Sequence, residues 1–149
     1  MGMNNYYITI VFNGASIERN DSTWKITGDT EVLYEDIVNV FQKSNVIKSN
    51  NKDNMFYINK NELNVYCSNA NQVCGIYIKG EFSSMKRASK KIYLLIRNIS
   101  LLFEFDLYIN DTVCKVFNGL DLCNNIKSVY AEKYNIYQHS RRKFKRLFK

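Results

Sequence analysis

The sequence predicts an α+β fold, an antiparallel sheet of hairpins with about three helices, the central one (residues 84–102) packed on the sheet. Three observations predict it. Strand-like segments fall in groups separated by short polar turns, in the order ββα, βββ, α, ββ, α, which suits an antiparallel sheet and not a doubly wound parallel one. One segment repeats Met85, Ala88, Ile92, Leu95, Ile96, Ile99 and Leu102 at helical spacing and runs without proline or glycine into the strand-like residues 103–109. A chain of 149 residues that is 46% hydrophobic and 14% aromatic is long enough to bury its own core and too apolar to be disordered.

Taken in order, residues 6–12 are a β-branched and aromatic run followed by the turn signal Asn13-Gly14. A second strand is predicted at 23–27, after the polar residues 18–22, so these two strands are expected to pair as a hairpin with a long loop. Asp29 or Thr30 is the expected N-cap of a helix of about four turns, in which Leu33, Tyr34, Ile37, Val40 and Phe41 recur at helical spacing. Residues 48–54 read as a solvated loop. Strands at 55–59, 63–67 and 73–78 then alternate with polar turns as a three-stranded meander.

Ser83 or Ser84 is placed to cap the central helix. After it, Asn110-Asp111 turns the strand 103–109 into a second strand at 112–117, which Asn118-Gly119 ends. Residues 120–138 predict a last helix with Ile126, Val129, Tyr130 and Tyr134 on one face. The chain divides into a single domain, 1–139, and a basic amphipathic tail, 140–149.

Charge is unevenly placed. The formal net charge is +7, and Arg141, Arg142, Lys143, Lys145, Arg146 and Lys149 stand in the tail with no acid. Subtracting those six leaves +1 for the other 139 residues. Phe144, Leu147 and Phe148 recur at i, i+3, i+4 among these cations, the pattern of a short amphipathic helix. It could dock its rings on the core, clamp a nucleic acid or lie on a membrane surface. Lys86, Arg87, Lys90 and Lys91 occupy the first turns of the central helix, with Arg97 further along. Cations there oppose the helix dipole at a cost of roughly a few tenths of a kcal/mol each, which gives them a claim to a use.

Several chemistries lack support. No apolar run approaches the roughly 18 residues of a membrane span, and the start has no basic and apolar leader pattern, so a cytoplasmic location is expected. Cys67, Cys74, Cys114 and Cys123 have spacings that fit no common zinc module, and in a reducing cytosol they are expected to be buried, inert thiols. His139 is the single histidine and stands beside the basic tail. No phosphate-cradling glycine motif occurs among the six glycines. Glu31, Glu35 and Asp36 suit a capping turn better than a metal site. Glu104 and Asp106 alternate with Phe103, Phe105 and Leu107 and so face water or a partner; alone they are a weak basis for a metal-dependent nuclease. No cofactor, metal or catalytic set is expected.

The strand and turn YYITIVFNG at 6–14, the helix entry FSSMKRA at 82–88 and the strand at 103–109 give the chain an architecture that resembles the small cytosolic immunity proteins of bacterial contact-dependent and polymorphic toxin systems. The resemblance implies a non-enzymatic protein, a monomer or weak dimer, that binds and neutralises a toxin domain. Lys86, Arg87, Lys90, Lys91, Arg97, Glu104 and Asp106 would make the contact. Immunity proteins against basic nucleases tend to be acidic and this chain is basic, which implies an acidic toxin surface or a toxin active site plugged by the basic helix or tail. The alternative is a small RNA- or DNA-binding module that uses the central helix and the tail.

Overall fold

The computed structural model describes residues 4–20, 23–69 and 71–147. The chain is α+β. In order it runs β1 (Asn5–Phe12), β2 (Ala15–Asn20), β3 (Thr23–Gly28), α1 (Tyr34–Lys43), β4 (Ile47–Lys48), β5 (Met55–Ile58), β6 (Asn61–Cys67) and β7 (Val73–Glu81). Then follow α2 (Met85–Ser100), β8 (Phe105–Ile109), β9 (Thr112–Cys114), α3 (Gly119–Val129) and α4 (Ala131–Leu147). Seven strands form one sheet in the order β4-β5-β6-β7-β1-β8-β9, while β2 and β3 pair only with each other. Every pairing is antiparallel, and Ile10 of β1 stands between Ile76 of β7 and Leu107 of β8.

The two faces of the large sheet differ because side chains alternate along a strand. Ile8, Ile10, Leu63, Ile76 and Ile78 point to the front, fully buried. Helix α2 lays Ile92, Leu95 and Ile99 in the same core, flanked by Ile37 and Phe41 of α1 and Leu122 and Ile126 of α3. Burying each such side chain contributes about 1.5–3 kcal/mol, and this layer holds the domain together.

The back face carries Tyr7, Thr9, Val11, Tyr66 and Tyr77, and the β2–β3 hairpin lies over it. Ile26 of the hairpin packs with Val11 and Cys74 in a small second cluster. Gly75 permits this approach: a Cβ there would lie 2.7 Å from Ile26 Cδ1. Trp24 meets the rings of Tyr66 and Tyr77 at centroid distances of 5.7 and 5.0 Å.

Several expectations are corrected. The segment 23–27 does not pair with β1; it pairs with β2, a strand unforeseen in the polar stretch, in register Ile17 to Ile26. Helix α1 begins only at Tyr34, after Leu33 forms an isolated bridge to Gln72, so Glu31 lies outside it. Ser84 occupies the N-cap of α2 but makes no side-chain cap; a 3-10 turn over Phe82–Ser84 leads in instead. Leu102 lies past the end of α2 and is exposed. Asn118 does not terminate a strand: its side chain accepts a 2.7 Å hydrogen bond from the Asp121 N–H and caps α3, in which Gly119 is the first residue. The last helical stretch is two helices that break at Tyr130, giving four α-helices where about three were expected. Helix α4 runs across residues 139 and 140 without interruption. All four cysteines are free thiols, Cys74 and Cys123 buried and Cys67 and Cys114 half-buried. Among the described residues no helix is long and apolar enough to cross a membrane.

Candidate partner-binding face

The outward arc of α2 is built by its sequence. Residues at the core positions are apolar except Ser89, whose hydroxyl donates to the Met85 carbonyl, which leaves Lys86, Arg87, Lys90, Lys91 and Arg97 exposed on the opposite side. Among the described residues the ion pairs are Arg19 with Asp111 and Lys25 with Glu18, so none of these five cations has a carboxylate partner among them. Lys91 donates a 2.8 Å hydrogen bond to Asn59 Oδ1 and is turned towards the β5–β6 turn.

Leu94 and Leu101 project from the middle of this cationic arc, 52% and 74% exposed. At the entry to α3, Phe117 and Leu120 are also exposed, by 75% and 69%. Gly119 lets this segment close on α2, since a Cβ there would lie 2.9 Å from Lys90 Cα. Arg97 and Phe117 line one hollow of about 310 Å³ that also takes in Tyr93, Val113 and Asp106. Cys114 lines it too; burial, opposed by a backbone hydrogen bond from Ile109, pushes its thiol up, so it stands there as a neutral group.

The sequence-predicted residues do not all meet. Lys86, Arg87 and Lys90 share a groove of about 580 Å³ with Ser83, Ser84 and Arg141, so the central helix and the tail do converge. Arg142 and Lys143 are exposed on α4; the side chains of Lys145 and Arg146, and Lys149 altogether, lie outside the described part. Glu104 and Asp106 are exposed at the other end of α2, beside Ser100 and the β1–β2 turn, about 20 Å along the helix from Lys86 by its rise per residue. Arg97 and Asp106 line a common hollow. His139 is exposed. Among the described residues no three His, Cys, Asp or Glu side chains gather in a way that could hold a metal.

Sequence reasoning missed Leu94, Leu101, Phe117 and Leu120. A signal existed for the first two: on a helical projection both fall among the cations and away from Ile92, Leu95 and Ile99. No family model, curated protein or solved structure matches the chain.

Proposed function

We propose that the chain is a non-enzymatic binding protein that neutralises a protein partner, in the manner of a toxin-immunity protein acting in the cytoplasm. The observation that carries this reading is the exposure of Leu94 and Leu101 on the same outward side of α2 as five cations that, among the described residues, have no carboxylate partner. Contiguous apolar surface rimmed by charge marks protein interfaces, and the cations would steer an acidic surface onto it. A polyanion alone would have no use for the leucines.

Immunity genes accompany their toxin genes, so co-expression with the product of the adjacent gene is the direct test. The wild-type chain is expected to restore growth and co-purify with that product. Lys86→Glu with Arg87→Glu is expected to lose both while keeping the fold. A partner that neither binds nor is neutralised overturns the reading.

The groove that joins Lys86, Arg87, Lys90 and Arg141 favours a second reading, a nucleic-acid-binding module. It requires binding to generic RNA or DNA that weakens steeply between low and moderate salt and that deletion of residues 140–149 abolishes. Absence of binding at low salt removes it.

A further inference from the structure

A second concave site lies on the back face, under the β2–β3 hairpin and away from the α2 arc. It is a cleft of about 340 Å³, within the size range of small-ligand sites. One wall is continuous aromatic surface: Tyr7 stacks on Tyr77 at 5.4 Å with 14° between the planes, and Trp24 leans on Tyr77 at 5.0 Å. Thr9, a buried polar residue, and Ile17 line the space beside it. The mouth is polar. Arg19 of the hairpin pairs with Asp111 of the β8–β9 turn, next to Asn110, and both charged side chains remain more than half exposed.

Charge selects among the ligands such a wall could take. Arg19 and Asp111 offset each other, as do Lys79 and Glu62, which face each other across β7 and β6. Lys133 stands beside the cleft without lining it: its Nζ lies 5.9 Å from the Tyr7 ring centre and 5.4 Å from that of Tyr130, and it donates a 3.1 Å hydrogen bond to the carbonyl of Asn5, whose register partner is Glu81. A cationic ligand would therefore meet a ring already engaged by a cation. A flat ring bearing a negative group meets aromatic surface, mixed donors and acceptors at its edge, and, beside the Tyr7 ring, the Lys133 ammonium.

We propose that this cleft binds a nucleotide, with the base against the Tyr7, Tyr77 and Trp24 wall, the base edge met by Arg19, Asp111 and Asn110, and the phosphate drawn to Lys133. The chemistry is the same whether the base comes from a free mononucleotide or from a single strand. The assignment is independent of the α2 face and stands or falls separately from it.

Trp24 is the one tryptophan of the chain, so its fluorescence reports the site directly. Titration of the full chain with AMP, GMP, CMP and UMP is expected to quench it saturably, whereas ribose 5-phosphate leaves it unchanged. Calorimetry on Tyr77→Ala is expected to show about 5- to 150-fold weaker binding, the equivalent of one lost stacking contact of about 1–3 kcal/mol. Because that change also loosens the hairpin, Lys133→Ala is the second variant: it is expected to weaken AMP and leave adenosine unaffected. A single-stranded pentanucleotide that binds more than tenfold tighter than any mononucleotide identifies a strand as the source, and equal affinities identify the free nucleotide. Absence of saturable quenching at millimolar mononucleotide and pentanucleotide, equal quenching by ribose 5-phosphate, or a Lys133→Ala protein that distinguishes AMP from adenosine as the wild type does would each overturn the assignment.

Discussion

The front and back of the sheet are made by the same strands and differ in almost everything else. The front is close-packed, with Tyr6, Phe12, Phe41, Phe56 and Phe82 set among isoleucines and leucines that are inaccessible to water under three helices. The back is aromatic and partly polar, roofed by one hairpin, and its rings stay half-exposed. Stability therefore resides on one side of a single sheet, and the other side is free to carry chemistry that a close-packed core would not tolerate.

The largest effect expected from breaking this division is on the front. Leu95→Ala leaves a void under α2 and is expected to cost about 2–5 kcal/mol in denaturant unfolding, whereas Ile26→Ala on the back should sit at or below the lower end of that range, because the hairpin can settle onto the gap. Equal losses would mean that the back cluster is as rigid as the core.

Next in size is an alkaline effect centred on the rings around Tyr7. Burial, opposed by a hydrogen bond with the Tyr7 backbone, pushes the Tyr130 hydroxyl up to about 12. The same desolvation, with neighbouring phenols, raises Tyr77 further. The folded state favours the neutral phenols, so their contribution is fully present below about pH 10, the unfolded value, and is lost as pH rises through about 12. Unfolding midpoints at about pH 9 and pH 11 should differ, with the lower stability at the higher pH; identical midpoints would show that these phenols are not shielded.

A smaller effect, of opposite sign, belongs to the front. Tyr6 is fully buried and its hydroxyl has no hydrogen-bond partner among the described residues. Tyr6→Phe removes that polar atom and is expected to raise stability by about 1 kcal/mol. Lower stability would reveal an unseen partner. The smallest effect should come from Arg19→Ala, because an exposed ion pair adds little: the melting temperature should not move measurably.

How much of this was legible in the sequence follows from the same asymmetry. The strands expected at 55–59, 63–67 and 73–78, which the structure places at 55–58, 61–67 and 73–81, the helix α2 and the Asn110-Asp111 turn are legible from period and punctuation, because each has a strongly apolar side and a clear polar break. Strand β2 was not: Ile17 alternates with Ser16 and Glu18 in a two-stranded hairpin exposed on its outer side, and a short alternation rich in Glu, Arg and Asn looks like a loop. Asn118-Gly119 failed for another reason, since asparagine and glycine serve strand ends and helix starts alike. Nothing in the sequence marks the break at Tyr130, whose hydroxyl is held by a 3.0 Å hydrogen bond from the Tyr7 N–H across the fold. The candidate face was half legible: the cations are plain, but the exposure of Leu94 and Leu101 depends on which side of α2 meets the sheet.

β1 lies in the interior of the sheet, between β7 and β8, and this governs how the domain is made. The first strand of this domain to leave the ribosome needs a partner on each edge, and these are complete only at Glu81 and Ile109. Until then YYITIVF is an apolar strand with both hydrogen-bonding edges open, the kind of segment that joins strands of other molecules. Such long-range pairing also folds slowly. Synthesis of this domain thus passes through a period of vulnerability that lasts for most of its length, and a chain released early would be a candidate for aggregation or chaperone capture.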